Sequence, residues 1–335
     1  MVLRFSSIGD IIQTTSVLGT IKKYYPDTII DFMTISKYAS LLQGHNDINN
    51  LHVVDIDANY KDLKNICNRI ESFGYDLLID LHNTTRSKII RRLMVNTKSV
   101  QIKKPRWKRF KLFGLHLNSF SKSFSVRTWL HEPIKIFLPK NAILSKTKLF
   151  ISDFDKLVAK SLIKSNGIDG PFFIIAPGAA WSQKSWLAER YILFIKEFSQ
   201  KYKLSPLMIG GSKDIICNVI KKTSDSNLVD IHGKTSLRES LAIISQSKFI
   251  IGGDTGLIHA AEALKIPALT ILGPTSRETG AGIYNKESQI VEESKLWCRP
   301  CSQNGSLPCY RKKQYCISEI KVDRVIRAVE EMINL

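Results

Sequence analysis

Long apolar runs are missing from this 335-residue sequence. None approaches the ~18 consecutive apolar residues of a membrane-spanning helix, so a membrane-spanning protein is not expected. The first strand-like run, Met1 to Phe5, lacks the long apolar region and cleavage site of a signal peptide, which argues against secretion. Low-complexity tracts and internal repeats are absent. With 44% apolar and 24% charged residues, the chain has the composition of a folded soluble protein and not a disordered one. Neither a Gly-x-Gly-x-x-Gly fingerprint nor a Walker loop occurs, which weighs against nicotinamide binding and ATP hydrolysis. Acids are scarcest between Arg86 and Lys148. There Glu132 stands alone against 17 Lys or Arg, a net +16 out of the formal +19. Such a stretch fits a solvated basic surface, an anionic membrane face or acidic lipid substrate, or nucleic acid. Trp107 and Phe110 within it suit a membrane interface as well as base stacking. Charge alone does not choose.

What is present is a strand–helix alternation, twice over. A length of 335 residues predicts two domains, each large enough to bury a core without staples. Strands are expected at Val2–Phe5, Thr28–Thr34, Val53–Asp55 and Tyr75–Leu81, with helices at Ile11–Tyr25 and Leu63–Phe73. The basic region has weaker signals and its elements stay open. The pattern restarts after Gly170-Pro171. Strands are expected at Phe172–Ala176, Leu204–Ile209, Leu228–Ile231, Phe249–Ile251 and Ala268–Leu272. Helices are expected at Ala188–Tyr202, Leu237–Ser245, Gly256–Leu264 and Val322–Ile333. The fold class is therefore α/β with parallel sheets. The expected organisation is an N-terminal domain over 1–150, a second over 168–320, and a terminal helix over 321–335.

Ligands of such sheets bind beyond the carboxyl ends of the strands, and four loops lie there. Ser6-Ser7-Ile8-Gly9-Asp10 follows the first strand, and its small residues let a ligand approach free backbone N–H groups. Asp10 reads either as a helix cap or as a catalytic base. Pro177 to Trp186 holds two Trp and Lys184, either a solvated lysine or a cation for a phosphate. Gly252-Gly253-Asp254-Thr255-Gly256 exposes N–H groups at a strand-to-helix turn. His259 falls one turn after Thr255 on the same face. Gly273-Pro274-Thr275-Ser276 by itself reads as a turn. No Asp-x-Asp metal motif lies in these loops, so no metal and no cofactor are expected there. Four of the six cysteines, Cys298, Cys301, Cys309 and Cys316, open with a CxxC but lack a second one. Structural metal, a disulfide and free thiols all remain open for them.

Taken together, these segments resemble glycosyltransferase family 9, the bacterial ADP-heptose:lipopolysaccharide heptosyltransferases. The resemblance is carried by Arg4 to Thr15, by Asp76 to His82 with Arg86-Ser87, by Gly252 to Ala261 with Gly273-Pro274-Thr275, and by Cys298-Arg299-Pro300-Cys301 with Cys309 and Cys316. It implies a GT-B architecture, two Rossmann-like domains facing across a cleft. It also implies inverting transfer of a heptose from ADP-heptose to the lipid A–core oligosaccharide. On this basis Asp10 is the candidate general base, and Ser7, Gly9 and Arg86 are candidate acceptor contacts. Lys184, Asp254, Thr255, Gly256 and His259 are candidate donor contacts. Asp214, the nearest acid after the Gly210-Gly211 strand end, is the candidate ribose contact.

Lysine and backbone N–H groups can stabilise a leaving ADP without a metal. The basic 86–148 stretch fits an anionic, lipid-linked acceptor and the inner-membrane surface, and so a cytoplasmic enzyme peripheral to that membrane. Nucleic acid is not expected as a partner, since no reader motif appears. The rival readings are another GT-B nucleotide-sugar enzyme and a basic nucleic-acid-binding protein.

Overall fold

Runs of buried β-branched and aromatic residues, such as Phe172–Ala176, belong to strands covered on both faces, and that is how parallel sheets are built. The computed structural model, which describes residues 1–223 and 227–334, contains two such sheets. The first uses β1 (Val2–Leu3), β2 (Phe32–Ile35), β3 (Leu51–Val54), β4 (Leu77–Asp80) and β5 (Lys98–Gln101), in the order β3-β2-β1-β4-β5. The second uses β6 (Phe172–Ala176), β7 (Ser205–Met208), β8 (Val229–Asp230), β9 (Ile250–Gly253), β10 (Ala268–Leu272) and β11 (Gln289–Glu292), in the order β11-β10-β9-β6-β7-β8. Every strand pair in both sheets is parallel. The α/β class read from the sequence therefore holds.

The helices, in chain order, are α1 (Ile8–Tyr24), α2 (Tyr60–Glu71), α3 (Thr85–Leu93), α4 (Arg106–Gly114), α5 (Val126–His131), α6 (Asp153–Ser165), α7 (Ala188–Tyr202), α8 (Ile215–Thr223), α9 (Leu237–Ile244), α10 (Gly256–Ala263), α11 (Tyr315–Ser318) and α12 (Val322–Ile333). Among the described residues none is long and apolar enough to cross a membrane.

The chain packs as two units. One is Met1–Pro105 with Phe124–Phe150; the other is Arg106–Ser123 with Ile151–Leu335. Leu3, Phe5, Met33, Leu78 and Ile90 lie in the first core. The second is built on Phe173, which stacks on Phe249 at 5.0 Å and meets Phe194 and Phe198 edge-on. Val325 and Val329 of α12 enter that core, so the terminal helix is part of the second unit. Arg106–Ser123 also packs there, although its place in the chain puts it in the first half. Leu112 is buried, and Asn118 Nδ2 donates to Glu278 Oε1 at 3.0 Å.

Several boundaries differ from those read off the sequence. Helix α1 begins at Ile8, three residues early, because Ser7 and Asp10 form a capping pair inside the supposed loop. Strand β2 begins only at Phe32, where pairing to Val2 and Leu51 starts; Ile29 before it is exposed. The basic region contributes the edge strand β5 and the short helices α4 and α5.

Candidate functional site

In the first unit, β1 pairs with β4 through Leu3 and Asp80, so the loops that follow these strands are neighbours. Arg4, just beyond β1, is buried and ties them together. Its Nε donates to Ser6 O at 2.8 Å and its Nη1 to Leu81 O at 2.5 Å. Its Nη2 lies 2.8 Å from Asp10 Oδ2. The same oxygen accepts from the Ser7 backbone N–H at 3.1 Å and the Ser7 hydroxyl at 2.9 Å. Asp10 is thus not the N-cap itself, a place that Ser7 takes, but the N3 partner of that cap inside the first turn of α1, and an ion-pair partner at once. All these donors converge on Oδ2, and none among the described residues reaches Oδ1. The side chain stays 35% exposed, which keeps it open to a ligand. Burial pushes its carboxyl up, but the Arg4 guanidinium and the Ser7 hydrogen bonds outweigh this and hold it below the usual carboxylate range.

Asp80 shapes the neighbouring loop. It is fully buried and accepts from the backbone N–H groups of His82 at 3.0 Å and Asn83 at 2.8 Å. The loop presents His82 with Nε2 3.5 Å from Ser6 Oγ and its ring 5.7 Å from that of Phe5. Burial, Arg4 and Lys104 push the His82 imidazole down to about 3; Asp10 opposes and Arg86 adds. The ring is therefore neutral at physiological pH, a hydrogen-bonding group without charge. Arg86, at the start of α3, lies over the Phe5 ring at 5.7 Å and donates to Ile56 O at 2.5 Å. Ser7 is exposed, and Gly9 is buried in the first turn of α1. The edge is a carboxylate in cationic surroundings.

In the second unit, β9 lies between β6 and β10, so the three loops that follow them adjoin. Lys184 Nζ meets Asp254 Oδ2 at 2.9 Å, both side chains being nearly buried. The Thr275 hydroxyl donates to the same oxygen at 3.2 Å. Residue 253 must be glycine for this approach: a Cβ there would sit 2.4 Å from the Lys184 carbonyl oxygen. Thr255 caps α10 by accepting from the Leu257 N–H at 3.1 Å, and Gly256 is the first helical residue. His259 Nε2 lies 3.9 Å from Asp254 Oδ1, near but beyond hydrogen-bond reach. Asp214 accepts from Gly211 N–H at 2.7 Å and presses on Gly178, where a Cβ would fall 2.2 Å from its Oδ2. It thus joins the loop that carries Lys184, but no hydrogen bond or ion pair links it to Lys184 or Asp254.

The sequence reading passed over Arg4, His82 and Thr275 as site residues. All three stand in segments that carry the family resemblance, which is the signal that could have found them; their contacts are set by the fold. The six cysteines are free thiols, and Cys298 and Cys316 are buried. Among the described residues no three His, Cys, Asp or Glu side chains come together to hold a metal ion.

Comparison with known proteins adds a family. The model described as "Glycosyltransferase family 9 (heptosyltransferase)" matches residues 64–310. Lipopolysaccharide heptosyltransferase 1 of Campylobacter coli is 23% identical, over 99% of this chain and 98% of its own length. The solved glycosyl transferase family 9 protein of Veillonella parvula superposes with a TM-score of 0.81 at 19% identity, covering 99% of this chain and 96% of that one. ADP-heptose lps heptosyltransferase II of Escherichia coli superposes with a TM-score of 0.73 at 17% identity, covering 99% and 98%.

Proposed function

The chain belongs to glycosyltransferase family 9, the heptosyltransferases, and on that premise we propose that it transfers a heptose, with inversion, from ADP-heptose to the core oligosaccharide of a lipid-linked lipopolysaccharide acceptor. The observation that carries this reading is the Lys184–Asp254–Thr275 cluster beside the start of α10, within the matched region. A lysine and free helix N–H groups suit a diphosphate, whose charge grows as the glycosidic bond breaks.

In the second unit, Lys184 takes the donor phosphates and stabilises departing ADP. Asp254, Thr255 and Gly256 hold the nucleotide sugar, with His259 behind them and Asp214 toward the ribose. In the first unit, Asp10 accepts the proton of the acceptor hydroxyl as that oxygen attacks the anomeric carbon. Ser7, Gly9 and Arg86 receive the acceptor, and the cations around Asp10 suit its phosphate and carboxylate groups. The test is incubation with ADP-heptose and a panel of truncated core acceptors, with mass detection of ADP and extended glycan. Acceptor-dependent ADP release is expected. Turnover with a different nucleotide sugar alone would point to another donor.

The Arg4–Asp10 pair predicts a pH effect. Asp10 must be ionised to accept a proton, and Arg4 helps hold its carboxyl low. Arg4→Gln removes that cation, so the Asp10 carboxyl rises toward the ordinary range. The acidic limb of the kcat–pH profile should move to higher pH by about one unit, as loss of a nearby opposite charge implies. An unmoved limb would mean that Asp10 does not govern it.

The same reading places the enzyme on the inner face of a membrane. Its support is α4, where Trp107 and Phe110 stack at 5.3 Å and are both exposed, within a segment of cations. Each cation near an anionic leaflet contributes about 1 kcal/mol, screened beyond about 8 Å at physiological salt. Reversing Lys103, Lys104, Lys108 and Lys111 to Glu should release the protein from anionic vesicles in flotation. It should also impair transfer to membrane-embedded acceptor more than to a short soluble one. Unchanged flotation with equal losses on both acceptors would make this stretch a solvated surface.

A further inference from the structure

Arg299, within the Cys298–Cys301 stretch, has no part in the chemistry above, yet its guanidinium is only 5% exposed and fully engaged. It sits where β10 and β11 end side by side, Leu272 pairing with Glu292. Nε donates to Gly273 O, Nη2 to Thr275 O at 3.0 Å and to Glu292 Oε2 at 2.8 Å, and Nη1 to Glu293 O at 2.9 Å. Only a planar fork can reach acceptors so arranged; a lysine has the charge but not the geometry.

Gly273 and Thr275 bound the turn that delivers the Thr275 hydroxyl to Asp254 Oδ2. The N–H of Cys301 holds the same turn through Pro274 O at 3.1 Å. The chain that follows grips the other partner. Gln314 Nε2 donates to Gln183 O at 2.6 Å. Gly305, at φ +78°, lies so close to the Lys184 stem that a Cβ there would fall 2.4 Å from Lys184 Cγ. One segment therefore clamps both loops that meet at Lys184 and Asp254.

We propose that Arg299 is a positioning residue for the donor reaction. It sets the Gly273–Thr275 turn and, through the Thr275 hydroxyl, holds Asp254 so that Lys184 is presented to the diphosphate in one place. The proposal rests on the reading of Lys184 and Asp254 as donor contacts.

The test measures donor and acceptor KM, kcat and melting temperature for Arg299→Lys, Thr275→Val, their double variant and Lys184→Ala. Arg299→Lys should raise donor KM about tenfold, the scale of a disturbed charged hydrogen bond, and leave acceptor KM in place. The double variant should be no worse than the worse single one, because both act along one path. Multiplying effects, or donor and acceptor KM rising together, would overturn the proposal. If Lys184→Ala raises donor KM and Arg299→Lys does not, the positioning role fails and the donor reading stands. If neither moves donor KM, the donor reading itself fails. Should Arg299→Lys not fold, Glu292→Gln loosens the guanidinium from its exposed side. Donor KM should then rise about threefold, a fraction of the full contact. No rise would again overturn the proposal.

Discussion

Asp10→Asn should lower turnover by about 10²–10⁴-fold, the usual contribution of a positioned general base, while donor KM stays near normal. Asparagine keeps the shape of the carboxylate and can still accept from the Ser7 N–H, so α1 should start in the same place. Arg4 would lose its ion pair but retain the carbonyls of Ser6 and Leu81. The fold should therefore persist, and the loss should lie in the chemical step. Asp10→Ala also removes the acceptor for the Ser7 N–H, the reciprocal half of the capping box, worth about 1 kcal/mol as a lost hydrogen bond. Its melting temperature should fall below that of Asp10→Asn, which loses the Arg4 ion pair but keeps the acceptor for the Ser7 N–H. Single-turnover rates with donor and acceptor saturating, set beside thermal melts of both variants, separate the two roles. Near-normal turnover in Asp10→Asn would leave Asp10 as a capping partner alone.

Lys184→Ala should cost about 10²–10³-fold in kcat/KM for ADP-heptose, comparable to removing a donor that stabilises developing negative charge. Two effects act in the same direction. On the proposed reading of Lys184, the cation that would neutralise the diphosphate is gone, and Asp254, which Lys184 pairs at 2.9 Å, is left as a nearly buried anion where the phosphates would bind. Such an unpaired charge opposes a second negative group. ADP affinity measured by calorimetry should therefore fall with donor KM, and acceptor KM should not change. A change in acceptor KM alone would remove the second unit from donor binding. Some stability should also be lost, and a thermal melt measures it apart from the kinetics.

The α/β class, both parallel sheets and half of the described helices could be read along the chain, because those elements are announced by local chemistry, whereas the GT-B type came from the family resemblance. Phe172–Ala176 is an apolar run with a Pro-Gly stop, and α7 carries a helical repeat of apolar residues. Asp10 was legible as cap or base because Asp is favoured at a helix start and its loop follows the first strand; that Ser7 is the cap and Asp10 its N3 partner came from the structure. What the sequence determined by itself was thus most of the strands, half of the described helices, the loops at the carboxyl ends of those strands and the residue types on those loops. The tertiary structure alone decided the partners. Lys184 and Asp254 are 70 residues apart and meet only because β6 and β9 are adjacent in the sheet. Arg4 reaches Leu81, and Arg299 reaches Thr275, for the same reason. Arg106–Ser123 belongs to the second unit because Leu112 and Asn118 find their packing and their hydrogen bond there, not beside their neighbours in the chain. Periodicity and turn chemistry act over a few residues, whereas strand order is set by burying apolar faces of the whole sheet, and every contact between strand-end loops is inherited from that order.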